Sequence, residues 1–187
     1  MRVIAGLARG RKLRSGGGVE VRPTPDRVKE ALFSIIAARV PGASFLDLYA
    51  GYGGVGIEAL SRGARRAVLV EKSDRAARLA QVNLETTGLA AAGRVVTARV
   101  EEALPRLERK GEKFDIVFMD PPYDMPSLDR LLDAVSASRC LNPGALVILQ
   151  YGQKRAVPAR VNSLAQVDLR HYGKTGLAFY RREEALE

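Results

Sequence analysis

The sequence predicts an α/β fold in which a mostly parallel sheet is covered by helices on both faces. From Ser44 onward, short apolar runs of strand length alternate with amphipathic stretches of helical length. This alternation is typical of parallel strands that are connected by crossover helices. After Gln150 the helical stretches stop, and the pattern indicates a closing antiparallel hairpin. A chain of 187 residues is long enough for one full domain and too short for two large ones.

The N-terminal residues show a different pattern, without the alternation of strands and helices. Two short strands are predicted at 2–5 and 8–13, with a turn near Gly6, and a glycine-rich loop follows at 15–18. This stretch has too few apolar residues to fold alone. We therefore expect residues 1–21 to form a basic β-hairpin appendage on one compact domain that comprises residues 22–187.

A first helix is predicted to begin at Thr24. Thr24 suits the N-cap, Pro25 suits the first helical position, and Asp26 favours the positive helix end. Apolar residues recur at helical spacing along one face: Val28, Leu32, Ile35 and Ile36. Arg27 and Lys29 fall outside this face, so we expect both cations to be available to a partner.

The remaining elements follow from the periodicity of the apolar residues. Strands are predicted at 44–48, 67–70, 94–98, 114–119 and 145–150. Helices are predicted at 55–61, 74–86, 101–109 and 128–137. The closing hairpin is predicted at 166–170 and 177–181.

The charge of the chain is positive and uneven. The net charge is +9, and the first 30 residues hold eight lysines and arginines against three acidic residues. A local excess of cations favours a polyanionic partner, of which nucleic acid is the usual one. A generally basic surface with solvated cations is the alternative explanation.

Several classes of protein are disfavoured. No apolar run approaches membrane-spanning length, and the N-terminus lacks a signal peptide, so neither a membrane nor an export route is expected. Cys140 is the only cysteine, which excludes an internal disulfide and fits the cytoplasm. We expect Cys140 to be a buried apolar residue and His171 to be structural or solvated. No metal is expected, because no cluster has metal-ligand spacing.

A glycine-rich junction carries the first chemical signal. Gly51, Gly53 and Gly56 match G-x-G-x-x-G between a predicted strand and a predicted helix. Glu71 ends the next strand, 20 positions after Gly51, where a carboxylate can accept hydrogen bonds from both hydroxyls of a ribose. Asp47 would repel the pyrophosphate of a dinucleotide but could help to bind an ammonium group. These residues favour S-adenosylmethionine over a dinucleotide.

The second signal is the stretch Asp120-Pro121-Pro122-Tyr123, directly after a predicted buried strand. Two prolines make a stiff loop that can hold a carboxylate and a carbonyl oxygen beside an aromatic ring. A planar amine could dock there; a proline-rich turn with a surface tyrosine is the alternative. Because ligands bind beyond the carboxyl ends of parallel strands, we expect this loop, the glycine junction and Glu71 to converge on one cleft.

Three stretches make the chain similar to the class I, Rossmann-like methyltransferases and, more narrowly, to the RsmD family: 22–33, 46–64 and 120–123. That family methylates the exocyclic N2 of a guanine in bacterial 16S ribosomal RNA. The resemblance covers nearly the whole chain, because residues 2–13 also fit the basic hairpin of the family. It implies a mostly parallel seven-stranded sheet with helices on both faces and a small N-terminal β-hairpin extension.

The resemblance also assigns roles to residues. It implies catalytic roles for Asp120, Pro121, Pro122 and Tyr123. It implies that S-adenosylmethionine, with S-adenosylhomocysteine as product, is bound by Asp47, Ala50, Gly51, Tyr52, Gly53, Gly56, Glu71, Lys72 and Val100. It implies RNA contacts at Arg2, Arg9, Arg11, Lys12, Arg14, Arg22, Thr24 and Arg27. The implied partner is 16S rRNA in an assembling small ribosomal subunit, and a cytoplasmic monomer is expected.

Two departures from the family pattern are visible. Tyr52 stands where the family more often has serine, which places a bulkier group beside the cofactor loop. In the stretch 98–101, no acid stands at the position where many methyltransferases place one against the adenine amine; Glu101 comes one position later. The adenine contacts therefore have no firm assignment.

Other functions stay open on the residues. The Asp120 loop permits adenine N6 in DNA as the acceptor, although the chain has no obvious target-recognition domain. Methylation of protein glutamine is disfavoured, because that family resembles N-P-P-Y. An NAD-dependent oxidoreductase is the remaining enzyme alternative. A non-catalytic RNA-binding assembly factor is the alternative outside enzymes.

Overall fold

The computed structural model describes residues 1–16 and 24–183. The chain divides into two compact units, Met1–Val100 and Glu101–Glu187. Within the described residues, no helix is both long enough and apolar enough to span a membrane.

The first unit is built on three parallel strands: β1 (Ser44–Leu48), β2 (Arg66–Glu71) and β3 (Gly93–Thr97). β2 lies in the middle and pairs with β1 on one side and with β3 on the other. The helices of this unit are α1 (Asp26–Ile35), α2 (Gly54–Ser61) and α3 (Asp74–Thr86). Every residue of β1 is buried, as expected for a parallel strand that is covered on both faces.

The second unit contains five strands: β4 (Phe114–Met119), β5 (Leu141–Gly152), β6 (Arg160–Val161), β7 (Leu164–Tyr172) and β8 (Thr175–Arg182). β4 and β5 are parallel, whereas β5 with β8, β8 with β7, and β7 with β6 are antiparallel. Its helices are α4 (Val100–Arg109), which begins at the boundary, and α5 (Leu128–Ala137). The closing part of the chain is therefore antiparallel and free of helices among the described residues, as predicted.

The predicted elements agree closely with the structure. The bounds of β1, β4, α3 and α5 are those that the periodicity predicts. β5 begins four residues earlier than predicted, at Leu141. The described residues contain eight strands instead of the expected seven, and the two-residue β6 is too short to show a pattern.

The start of α1 differs from the prediction. Thr24 is not the N-cap; Pro25 occupies that position, and no side chain caps the helix. Pro25 has an extended ψ of 143°, so the first helical residue is Asp26, and the Pro25 carbonyl accepts the amide hydrogens of Val28 and Lys29. Ile35, predicted for the apolar face, is exposed at the end of the helix.

Residues 1–16, here called the basic N-terminal segment, contain an antiparallel pairing that is shorter than the two predicted strands. One bridge joins Arg2 and Lys12, and three backbone hydrogen bonds between residues 1–3 and 10–13 accompany it. The backbone between these arms turns to α2, which accepts the N–H groups of Ile4, Ala5 and Leu7. The segment packs on the rest of the first unit through a few buried apolar side chains: Val3, Ala8 and Leu13.

Candidate functional site

The basic N-terminal segment is fixed by two side chains on one face of α2. Glu58 accepts the backbone N–H of Ile4 at 2.8 Å and that of Ala5 at 3.0 Å. Ser61, one turn further on, accepts the N–H of Ala8 at 2.9 Å and donates to the Ala5 carbonyl at 2.6 Å. The segment therefore has a defined path although it has almost no regular structure.

Gly6 allows the segment to pass this close to α2. Its φ is +83°, and a Cβ built on it would lie 1.8 Å from the Ser61 carbonyl oxygen. The next residue, Leu7, donates its N–H to the same oxygen at 2.8 Å. Both the backbone conformation and the space therefore require glycine at position 6.

Lys29 is not available to a partner, contrary to the sequence-based prediction. Its side chain is 0% exposed; Nζ donates to the Arg2 carbonyl at 2.6 Å and lies 3.5 Å from Glu58 Oε2. Burial lowers the pKa of Lys29, and the negative charge of Glu58 opposes that shift. Arg62 donates to the other Glu58 oxygen at 2.7 Å. Helical spacing could not reveal this, because Glu58 is far away in sequence.

The other cations predicted to bind RNA lie at the surface where they are described. The exposed ones are Arg2, Arg9, Arg11, Lys12, Arg14 and Arg27. Arg2 pairs with Asp26 at 3.4 Å, and Arg11 donates to the Thr86 carbonyl at 2.6 Å. Thr24 is partly buried, and Arg22 lies outside the described residues.

The glycine-rich junction between β1 and α2 is tightly packed. Asp47, buried at the end of β1, accepts the Gly56 N–H at 2.9 Å through Oδ2. A Cβ at Gly56 would lie 2.9 Å from two carbons of Leu69, and Gly53 has a φ of +85° with Leu69 at a similar distance. Glycine at both positions therefore lets the start of α2 approach β2, as in nucleotide-binding junctions.

Glu71 links this junction to the end of β2. Its Oε2 accepts the Gly51 N–H at 2.9 Å, and its Oε1 accepts the Ser73 N–H at 2.8 Å. The side chain is 8% exposed. Each carboxylate oxygen can accept a further hydrogen bond, so the pair of oxygens can still receive two hydroxyl groups.

Tyr52 is turned towards the basic N-terminal segment. Its side chain is buried, and its hydroxyl donates to the Gly16 carbonyl at 3.3 Å. Among the other residues assigned to the cofactor, Ala50 and Val100 are buried and Lys72 is exposed. The predicted cofactor residues thus all belong to the first unit, on the ends of β1 and β2 and the loops that follow, except for Gly56 in α2 and Val100 at the start of α4.

In the second unit, Asp120 is held by a residue that the sequence analysis missed. Gln150 of β5 donates its Nε2 hydrogen to Asp120 Oδ2 at 2.8 Å. Gln150 is 2% exposed, and its Oε1 has no hydrogen-bond partner among the described residues. In the sequence, the signal that could have indicated Gln150 was a polar residue within the apolar run of β5.

Tyr123 is also positioned from β5 and β8. Its hydroxyl lies 3.2 Å from Thr175 Oγ1, and its ring lies against Gly152, where a Cβ would be 3.6 Å from Cδ2. Pro121 is buried and Pro122 exposed. The loop is therefore braced against the strand ends, which favours a fixed docking surface over a loose turn.

The guanidinium of Arg155 supports the later part of the Asp120 loop, at residues 125–126. It donates to the carbonyls of Met125 and Pro126, and the Met125 N–H closes a turn onto the Pro122 carbonyl. Arg155 is a second residue that periodicity could not identify, because it follows β5 in an irregular stretch.

Cys140 and His171 have the structural roles expected for them. Cys140 is buried with its Sγ 3.8 Å from the Leu104 carbonyl, and burial raises the pKa of its thiol, which makes it unreactive. His171 is exposed, with Nε2 3.3 Å from the Tyr151 hydroxyl. The described part of the chain has no group of three or more potential metal ligands.

The fold, the glycine-rich junction and the Asp120 loop together define a class I, Rossmann-like methyltransferase. The chain matches a solved hypothetical protein of Thermus thermophilus at 38% identity and a TM-score of 0.84, over 96% of this chain and 98% of that one. It shares the fold of an RNA methyltransferase from Salinibacter ruber solved with S-adenosyl-L-homocysteine, at 20% identity and a TM-score of 0.66, over 89% and 97% of the chains.

The family profile described as "Conserved hypothetical protein 95" matches residues 1–181, and the chain belongs to this family, which is the RsmD family. YlbH of Bacillus subtilis (strain 168), named as a candidate rRNA methyltransferase, is 35% identical over 97% of this chain and 99% of its own length. Ribosomal RNA small subunit methyltransferase D of Escherichia coli (strain K12) is 33% identical over 98% and 90%.

Proposed function

We propose that the protein is an S-adenosylmethionine-dependent methyltransferase that modifies the exocyclic N2 of a specific guanine in 16S rRNA. Membership of the RsmD family supports the reaction and the RNA substrate. The observation that carries the proposal is the Asp120 carboxylate, held by Gln150 in a loop whose tyrosine is braced by Thr175. An assembling small subunit, the cytoplasm and a monomeric state belong to the same proposal.

The residues of the first unit suit the cofactor by their chemistry. Glu71 would accept hydrogen bonds from the ribose hydroxyls with the capacity left on its two oxygens. Asp47 would contribute negative charge towards the ammonium group. The remaining neighbours of the cofactor would be the backbone of the glycine loop with Ala50, Lys72 and Val100. Bound S-adenosylmethionine supplies an electrophilic methyl group on a positively charged sulfur.

Asp120 and the Pro121 carbonyl would act on the amine of the acceptor. Guanine N2 shares its lone pair with the ring and is a poor nucleophile. Two acceptors on its N–H groups favour a more tetrahedral nitrogen, whose lone pair can form the new N–C bond. The new bond would replace the bond between the methyl group and sulfur, the electron pair of that bond would stay on sulfur, and the methylated amine would then give its extra proton to solvent. Positioning and polarisation of this kind together contribute several kcal/mol.

The acceptor guanine would have to leave its helix to reach such a loop. In a helix one N–H of guanine N2 bonds cytosine, and the stacked neighbours cover the face from which the lone pair would attack, so an unpaired or flipped guanine is required. Tyr123 would stack on that base, which is worth about 1–3 kcal/mol. The exposed cations of the basic N-terminal segment would hold the surrounding phosphates.

The direct test is transfer of a labelled methyl group. The purified protein is incubated with labelled S-adenosylmethionine and either 16S rRNA or assembling small subunits, and modified nucleotides are mapped by digestion and mass spectrometry. We expect one N2-methylguanine. Transfer to adenine N6 in DNA, with none to RNA, would mean that DNA and not RNA is the substrate. RNA binding without any transfer would favour an assembly factor, and binding of NAD instead of S-adenosylmethionine would favour an oxidoreductase.

Glu71→Ala is expected to weaken binding of S-adenosylhomocysteine by about 10- to 100-fold, because hydrogen bonds to a charged group contribute about 1.5–3 kcal/mol. Calorimetric titration measures the change. Glu85→Ala is the matched control, because Glu85 is an exposed acid of the same unit whose side chain bonds only Gln81 among the contacts described. Unchanged affinity in Glu71→Ala would remove this residue from the proposed cofactor site.

The double variant Arg9→Ala/Lys12→Ala is expected to reduce the salt dependence of RNA binding. Each lost phosphate contact lowers the slope of log K against log salt by about 0.7–0.9, so the double variant should lower it by about 1.5. Arg109→Ala/Lys110→Ala removes the same charge from the exposed end of α4 and serves as the control. Equal slopes in both variants would show that the basic N-terminal segment does not contact phosphates.

A further inference from the structure

Asn83 of α3 connects the basic N-terminal segment with the glycine-rich junction, two parts of the first unit that have separate roles in the proposed function. Its side chain is 0% exposed. Oδ1 accepts the Arg14 N–H at 2.7 Å, and Nδ2 donates to the Arg14 carbonyl at 3.0 Å. Nδ2 also donates to the Tyr52 carbonyl at 2.9 Å. One buried amide thus binds the basic N-terminal segment on one side and the glycine-rich junction on the other.

Two more contacts join the same parts. The Tyr52 hydroxyl donates to the Gly16 carbonyl, further along the basic N-terminal segment. The side chain of Met1 lies over Gly54, where a Cβ would be 2.6 Å from its sulfur. The segment therefore touches the junction at both of its own ends, and Asn83 is the buried contact between them.

We propose that Asn83 is a positioning residue that couples cofactor binding to RNA binding. This inference rests on the proposed function, in which the glycine-rich junction holds S-adenosylmethionine and the exposed cations of the segment hold phosphates. Ordering the junction fixes the Tyr52 carbonyl, and through Asn83 it fixes the backbone of Arg14. A ligand that stabilises one part therefore stabilises the other, and the coupling must be reciprocal.

The buried position of Asn83 gives this coupling its strength. When the junction and the segment separate, at least one buried donor or acceptor loses its partner, and such a group costs more free energy than a solvated one. Glu58 and Ser61 hold the earlier part of the segment, and the side-chain hydrogen bonds described for them do not involve residues 47–56 of the junction. They should therefore fix its path but transmit no signal from the cofactor.

The coupling is measured as the affinity for purified 16S rRNA with and without saturating S-adenosylhomocysteine, at one fixed salt concentration. In the wild-type protein we expect this product of the cofactor to tighten RNA binding about fivefold, within the usual range of allosteric couplings. In Asn83→Leu the ratio should approach one. Gln81→Leu, at a half-buried position on α3 whose side chain bonds Glu85, should keep the wild-type ratio.

An equal ratio in Asn83→Leu and the wild type would overturn the proposal, and so would a wild-type ratio of one. A protein that binds neither S-adenosylhomocysteine nor the RNA would contradict the proposed function itself. Intact binding of both without coupling would contradict only the role of Asn83. The two failures are therefore distinguishable.

A measurement on the wild-type protein covers the case in which Asn83→Leu does not fold. Amide hydrogen exchange is followed with and without S-adenosylhomocysteine. We expect slower exchange at the Arg14 amide, which bonds Asn83, and little change at the Leu7 amide, which bonds the Ser61 carbonyl. Protection confined to residues 49–56, with Arg14 unchanged, would overturn the coupling.

Discussion

Asp120→Ala is expected to slow methyl transfer by about 10²–10³-fold, because it removes the acceptor that we propose polarises the amine in the transition state. Binding of S-adenosylhomocysteine should stay close to that of the wild type, since the predicted cofactor residues belong to the first unit and Asp120 to the second. Single-turnover transfer to 16S rRNA gives the rate, and calorimetry gives the cofactor affinity.

Asp124→Ala is the matched control for this variant, because Asp124 is an exposed acid in the same loop. Its transfer rate should be within about twofold of the wild type. Gln150→Leu should give a smaller loss than Asp120→Ala, because it leaves the carboxylate in place but removes the donor that orients it. Undiminished transfer by Asp120→Ala would end the assignment of this carboxylate to catalysis.

Glu58→Ala is expected to lower the free energy of unfolding by about 3–5 kcal/mol, the usual cost of removing one partner from a buried ion pair. The change leaves Lys29 buried without the carboxylate that opposes it, and it removes the acceptor of the Ile4 and Ala5 amides. Chemical denaturation of the purified variant measures the loss. Limited proteolysis should also cut the basic N-terminal segment faster.

Glu102→Ala provides the comparison with an exposed pair. Glu102 accepts from Arg106 at 3.1 Å, with both side chains about half exposed, and such pairs contribute about 0–1 kcal/mol. A loss below about 1 kcal/mol in Glu58→Ala would mean that water replaces the carboxylate at little cost. The docking of the segment would then depend on Ser61, Asn83 and apolar contacts.

The part of the fold that the sequence predicts best is the part with periodic apolar residues. The bounds of β1 and α3 follow from their own side chains, because each buries a face whose spacing is visible locally. The start of α1 was misplaced at Thr24, since the propensity of threonine for the N-cap does not account for the extended ψ of the following proline.

The candidate site was predictable to the extent that its residues lie in short motifs. The glycine-rich junction, Glu71 and the Asp120 loop were identified from spacing alone, whereas the residues that hold them were not. Gln150 bonds Asp120 from 30 positions away, and Asn83 bonds Arg14 from 69 positions away. Contacts at such separations leave no periodic signal in one sequence, so support for a site is found only in three dimensions.

The closed space beside Gly6 has a use in comparing related chains. A side chain there would collide with the Ser61 carbonyl, and relaxation of α2 would disturb the Leu7 hydrogen bond as well. Glycine at this position therefore indicates that the N-terminal segment of a related chain packs on α2 as it does here. This indication is independent of any residue that binds a ligand. A homologue that keeps the Asp120 loop but carries a bulkier residue at position 6 must route its N-terminus elsewhere. Its RNA contacts should then be inferred afresh, not transferred from this protein.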